Sequence, residues 1–209
     1  MLKLYYSPGA ISLATHIALE EAELPYELVR VALAQGEHLT PEYRRIHPLS
    51  RVPALEIGGG AILTETPALL GYIAALVPER ELMPAGMLAA ARAQEWMSLL
   101  ASSLHVAFIT FFRPERYTAE PAALESLRRD GKTRFFELLS HVDARLATSE
   151  YSCGERYSLC DAYMSVFYFW GRKLELPMTT LPSYSRLVAS VLLRPAVQRA
   201  RAQEGLSSS

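Results

Sequence analysis

Apolar positions in the first third of the chain switch repeatedly between two periods. "KLYY" is a short strand pattern, and Ser12 to Glu23 then carries Leu13, Ile17 and, just beyond, Leu24 at helical spacing. "YELVRVAL" reads as a second strand, rich in β-branched and aromatic residues. Strand, helix, strand in this order predicts a βαβ unit with parallel strands and a right-handed crossover. A short helix is predicted over Pro41 to Ile46. Then "VPALEIGGGAILTE" places two apolar runs around Gly58-Gly59-Gly60, a hairpin pattern. A helix over Thr66 to Val77 follows, with Leu69, Tyr72, Ile73 and Leu76 on one stripe.

Strand patterns stop at Leu82. "LMPAGM" reads as a linker because Pro84 and Gly86 interrupt any regular element. Long helical patterns succeed it over Leu88 to Phe112, Ala122 to Ala147 and Asp161 to Leu174, with two shorter ones near the C-terminus. "DAYMSVFYFW" is apolar almost all round, which predicts the buried central helix of a bundle. The organisation expected is an α/β domain over 1–80, a linker over 81–87 and an all-helical domain over 88–209. No repeat is visible, and only the Ser207–Ser209 tail is of low complexity.

Composition narrows the function classes. A chain of 209 residues, half of them hydrophobic, can bury a sizeable core. A formal net charge of −1 without basic runs gives no electrostatic reason to expect nucleic acid. The N-terminal apolar run is broken by Pro8 and Gly9, unlike a signal peptide, and no stretch approaches a membrane span. Cys153 and Cys160 fit reduced thiols in the cytoplasm better than a disulfide scaffold. The histidines lie far apart in sequence, so no metal is expected.

Several residues carry candidate chemistry. In "YYSPGAISLATH" a strand runs through Pro-Gly into a helix, a layout suited to holding an anion at a helix N-terminus. Ser12 sits there, with the hydroxyls of Tyr5, Tyr6 and Ser7 nearby; a plain helix cap is the alternative reading. Pro53 precedes an apolar strand in "SRVPAL", as either an ordinary trans proline or a cis Val52–Pro53 bond. The cis form would turn the Val52 backbone toward a passing peptide. Thr66, followed by Pro67, is placed as a helix N-cap. Helix N–H groups there can grip a carboxylate while Glu65 takes an ammonium, together recognising an α-amino acid head group. His105 lies inside the first long helix of the second domain, and Ser102 is placed on its face. Ser158 and Asp161 form a capping-box pattern before the buried helix, with Cys160 inside it as a small hydrophobe.

In this order, "KLYYSPGAISLATHIALEEA", "HPLSRVPAL", "LTETPALLGYIAALVP", "SSLHVAFITFFRP", "YSLCDAYM" and "RPAVQRARAQEGL" resemble a bacterial glutathione transferase of the beta class over almost the whole chain. The resemblance implies an α/β thioredoxin-like N-terminal domain on an all-α helical bundle, a homodimer, and glutathione held as co-substrate between the domains. It implies a cis Pro53, with Val52 pairing the cysteinyl backbone of glutathione, Glu65 and Thr66 binding its γ-glutamyl end, and His105 lining the site near the thiol. Three positions depart from the class. Ile11 stands where a cysteine is usual, and Ser98 where an asparagine reaches the partner subunit's glutathione. Gln35 or Gly36 replaces a basic residue.

Without that cysteine, the protein must stabilise the thiolate of glutathione itself. Lowering a thiol pKa by about two units needs roughly 2.7 kcal/mol. A helix N-terminus supplies about 0.3–1 kcal/mol, up to about 2 when partly buried. A hydrogen bond to a charged sulfur adds roughly 1.5–3 kcal/mol. Helix dipole plus Ser12 therefore suffices. The expected activity is conjugation of the glutathione thiolate to a small electrophile, with Ser12 and His105 catalytic and Phe108 and Phe112 lining the acceptor pocket. Glutathione-dependent isomerisation or dehalogenation, and a non-catalytic binding module, are the alternatives. No membrane or nucleic-acid partner is expected.

Overall fold

The computed structural model describes residues 1–206; the Ser207–Ser209 tail lies outside them. Its first part is a four-stranded sheet in the order β2-β1-β3-β4. β1 (Leu2–Tyr6) and β2 (Tyr26–Arg30) pair in parallel, with Leu4 opposite Leu28, and α1 (Ser12–Ala22) crosses between them. β2 stops three residues short of the predicted Leu33. The chain turns away there because the Glu37 carboxylate takes the Ala32 N–H at 2.7 Å and a 3₁₀ turn forms at Leu33–Gln35. The short helix α2 (Pro41–Ile46) has Thr40 as its cap, accepting from Tyr43 N–H at 3.3 Å. β3 (Ala54–Ile57) and β4 (Ala61–Thr64) form the antiparallel hairpin around the three glycines, and α3 (Thr66–Leu76) follows.

The second part is helical. α4 (Met87–Leu99) runs through a π-helical turn at Leu100–Leu104 directly into α5 (His105–Phe112). α6 (Pro121–Arg145), α7 (Leu159–Lys173), α8 (Pro182–Leu192) and α9 (Pro195–Gln203) complete it. α7 is buried along most of its length. At its start the Asp161 carboxylate accepts from Ser158 N–H at 2.7 Å. The continuous rod Met87–Phe112 corrects one expectation. It is 26 residues long and contains an 18-residue window of mean hydropathy 1.3, long and apolar enough to cross a membrane by length and composition. No proline or glycine interrupts those 26 residues, and α5 packs along α6.

One core runs through both parts. Leu4, Ile17, Leu69 and Ile73 share a single buried cluster with Leu104, Phe135 and Phe167. Polar clamps join the two parts at the Pro8–Gly9 turn. Gly9 N–H donates to the Glu204 carboxylate at 2.8 Å, and the Trp170 indole N–H donates to the Gly9 carbonyl at 2.9 Å. The other Glu204 oxygen lies 3.0 Å from His16 Nδ1, both side chains being fully buried. Gly9 has φ +67°, and a Cβ there would touch Leu206, so the clamped turn favours glycine.

Candidate active site

A cleft opens between the end of the sheet and the α4–α5 rod. Val52, Pro53, Glu65 and Thr66 form one wall; Ala101, His105 and Ile109 form the other. The first wall is made of backbone and helix ends. The Val52–Pro53 peptide is cis. Among the described residues Val52 N–H and C=O have no hydrogen-bond partner, which leaves both for an added strand. Glu65 is the N-cap of α3, its carbonyl accepting from Leu69 N–H at 3.1 Å. Thr66 is therefore the first helical residue rather than the cap, because Pro67 takes the second helical position. Glu65 adopts φ +68°, ψ +111°, a sparsely populated conformation for a non-glycine residue that the surrounding structure must hold in place. It sets the carboxylate beside the first turn of α3.

The second wall depends on the π-helical turn. Such a turn adds a residue to one helical repeat and so rotates everything beyond it. Ala101, His105 and Ile109, spaced by four, line the cleft. Ser98 and Ser102 share a different, exposed face, where the Ser102 hydroxyl donates to the Ser98 carbonyl at 2.7 Å. The structure thus brings neither serine to the cleft, and the shared face expected for Ser102 and His105 is lost through that rotation. Phe108 is likewise turned inward. It stacks on Trp170 with centroids 4.0 Å apart and meets Phe135 edge-on, as core rather than pocket wall. Phe112, half exposed, stacks on Phe108, while Val106, Ile109 and Tyr117 take the lining positions.

At the α1 end, Ile11 lines the cleft and Ser12 does not. Ser12 is fully buried, its hydroxyl donating to the Ser7 carbonyl and accepting from Ser7 N–H, both at 3.2 Å. The side chain locks the turn from within and presents no hydroxyl to the cleft. The Tyr5 hydroxyl is also committed, donating to Glu56 at 3.2 Å.

The electrostatics of the cleft are mixed. Arg51 and Arg116 line it and make no ion pair among the described residues; Glu65 and His47 complete the polar lining. Burial, reinforced by Arg51 and Arg116, drives the His105 pKa down to about 4, so the imidazole is neutral near pH 7. Its ring rests against Phe167 and Trp170, with centroids 6.0 and 5.6 Å away. Burial lowers His47 as well, and raises the Tyr163 hydroxyl with help from Glu65. His47 and Arg51 stand in the segment "HPLSRVPAL", and their nearness to Pro53 was the available signal. Arg116 and Tyr163 had none, since one follows α5 in a loop and the other sits in a uniformly apolar helix.

A cis proline before an antiparallel hairpin, an acidic N-cap at positive φ and an all-helical second wall together define a cleft between a thioredoxin-like sheet and a helical bundle. Residues 1–75 match the family model for the glutathione S-transferase N-terminal domain. Glutathione S-transferase GstA of Escherichia coli O157:H7 is 31% identical across 98% of this chain and 100% of its own length. A solved glutathione transferase homologue from Sulfitobacter, with bound glutathione, superposes with a TM-score of 0.94 at 35% identity, covering 99% of both chains. A beta-class enzyme from Sphingomonas chungbukensis superposes with a TM-score of 0.86 at 33% identity, over 98% of this chain and 100% of that one. The chain belongs to the glutathione S-transferase family, and that kinship spans both domains of an enzyme that transfers groups to glutathione.

Proposed function

We propose that this transferase adds the thiolate of glutathione to a small electrophile bearing an acidic group, and does so without the cysteine usual in the beta class. The carrying observation is the cleft itself. Val52 offers both backbone polar groups beside cis Pro53, and Glu65 and Thr66 stand at the start of α3, as the γ-glutamyl end of glutathione requires. Thiol activation falls to the N-terminus of α1 and to His105. Among the described residues the N–H groups of Ile11 and Ser12 have no acceptor, and the neutral His105 ring makes no hydrogen bond. Helix dipole and one imidazole N–H meet the requirement of about 2.7 kcal/mol for a two-unit pKa drop.

The two arginines set the acceptor class. Gln35 is exposed and outside the cleft, so the positive charge for the glycyl carboxylate comes from Arg51, next to Val52. That leaves Arg116, on the helical side, to pair an acid on the acceptor. The working unit is a cytoplasmic homodimer that clears electrophiles, with Ser98 on the exposed face of α4 turned to the partner.

Calorimetric titration with glutathione and turnover over paired acidic and neutral electrophiles test this. Glutathione binding with faster turnover of the acidic member is expected, and Arg116→Gln should erase the preference. Failure to bind glutathione would overturn the reading.

A further inference from the structure

The cleft holds one hydroxyl that the folded chain leaves unused. Tyr163, in the second turn of α7, lines the cleft although only 1% of its surface is exposed. Other tyrosines of the bundle commit their hydroxyls inside the protein. Tyr184 donates to the Met164 carbonyl at 2.7 Å, and the Tyr168 hydroxyl lies 2.9 Å from that of Ser185. Among the described residues the Tyr163 hydroxyl has no hydrogen-bond partner. Its oxygen is not sealed either, unlike the unpartnered oxygen of Tyr157, so the little surface that Tyr163 keeps opens at the oxygen. A buried hydroxyl without a partner is destabilising. At the edge of a ligand cleft, that penalty is recovered only when the ligand accepts from it.

Position decides which ligand atom accepts. The Tyr163 ring lies 5.3 Å from the Phe167 ring, and the His105 ring lies 6.0 Å from the same residue. Phe167 thus seats both rings on the helical side, and both residues line the cleft. α7 also packs along α1, whose first turn follows Ile11. On the transferase reading the other groups of glutathione are already held. Glu65 and Thr66 take its γ-glutamyl end, Val52 its cysteinyl backbone and Arg51 its glycyl carboxylate. The cysteinyl sulfur is the group left to meet the helical side. Burial, with help from Glu65, raises the Tyr163 pKa, so the phenol keeps its proton at neutral pH and serves as a donor.

We propose that Tyr163 is a further catalytic residue, donating its phenolic O–H to the cysteinyl sulfur of glutathione alongside His105 and the N-terminus of α1. This rests on the transferase reading. The thiol proton passes to solvent, and Tyr163 holds the resulting thiolate by a charge-assisted hydrogen bond without giving up its own proton. A sulfur lone pair then forms the new S–C bond. The hydrogen bond weakens as the sulfur loses its charge, and the anion formed on the electrophile takes a proton from solvent.

Tyr163→Phe removes one oxygen and keeps the ring on Phe167. The test titrates the ultraviolet thiolate band of saturating glutathione on the full chain, in parent and variant. The thiol pKa should rise by about one unit in Tyr163→Phe, with about tenfold slower turnover below that pKa. Turnover of the two should converge at alkaline pH, where the thiol ionises unaided, and glutathione affinity there should match the parent. The free variant should melt no lower than the parent, because the lost hydroxyl had no partner. Tyr168→Phe, which removes a phenol of the same helix outside the cleft, should titrate as the parent does. A shifted thiol in the parent that titrates unchanged in Tyr163→Phe would overturn the proposal. So would a loss of glutathione affinity with no change in thiol pKa, which would put the hydroxyl on another group of the ligand. Absence of glutathione binding by the parent is the different result that would remove the transferase reading itself, and this proposal with it.

Discussion

The two walls of the cleft are built by different rules. The α/β wall presents main-chain groups and a helix end, so its chemistry is set by where the chain turns. The helical wall presents side chains from successive turns of one rod, so its chemistry is set by rotational phase. Changing a residue on the first wall should cost ligand affinity. Changing one on the second should mostly cost packing or shift a titration. Recognition and reactivity can therefore vary separately in one fold.

The largest effect should come from the helical side. Phe108→Ala removes a ring stacked at 4.0 Å on Trp170 and should lower unfolding stability by about 3–5 kcal/mol. Chemical denaturation measures this, and a residual folded fraction should bind glutathione normally. Weakened binding at full stability would return Phe108 to the pocket wall.

His105 gives the next effect, through pH. Its folded pKa of about 4 lies below the ordinary histidine value, so between those two values the unfolded chain binds the extra proton. Stability is then whole above about pH 6.5 and falls with acid, by about 3 kcal/mol on reaching pH 4. Melting temperature followed from pH 7 to 4 should drop less steeply in His105→Gln. Parallel curves would mean that His105 is not the group titrating. Turnover between about pH 5 and 8 should show no histidine step from this residue, since it stays neutral there.

On the α/β wall, Glu65→Ala should weaken glutathione by about 1.5–3 kcal/mol, the size of a charged hydrogen bond, while relieving a strained backbone only slightly. Calorimetry against a melting curve separates the two. Equal losses in both would make Glu65 a cap and nothing more. The smallest effect should be Ser12→Ala, at about 1 kcal/mol of stability, because the hydroxyl serves only the Ser7 backbone. The ultraviolet thiolate band of bound glutathione should titrate unchanged in that variant, and a raised thiol pKa would put Ser12 back in the chemistry. Ile11→Cys sharpens the same point: it should gain a glutathione mixed disulfide on intact mass after exposure to glutathione disulfide.

What the sequence made legible follows the same division. The βαβ unit, the glycine hairpin and the buried helix Leu159–Lys173 all announce themselves through period and turn residues, and all are present. The cis Val52–Pro53 bond followed from the family resemblance, and the helix start beside Pro67 was legible to within one residue, with Glu65 rather than Thr66 as the cap. Ser102 and Phe108 were misplaced for one reason. A uniform helix of 3.6 residues per turn carries them to the cleft, but the π-helical turn at Leu100–Leu104 breaks the phase, and nothing in "LASSL" encodes it. Ser12 failed differently. A hydroxyl at a helix start has two uses, and only the Ser7 contacts show which one it serves. Arg116 was out of reach because its role depends on Arg51, 65 positions earlier by sequence number, lying across the same cleft.

The clamp on Gly9 carries a consequence for the order in which this protein is made. The turn that precedes Ile11 leaves the ribosome long before its N–H partner, Glu204, which lies 195 positions later. Trp170, whose indole N–H donates to the Gly9 carbonyl, lies 161 positions later. A nascent chain can fold its sheet early, since the strand pairs close within the first 64 residues. The α1 end of the cleft acquires its fixed shape only when α9 arrives. Synthesis halted before Glu204 would leave the Pro8–Gly9 turn without its carboxylate clamp, so the arrival of Glu204, rather than the pairing of the strands, is the moment the α1 end of the cleft is fixed.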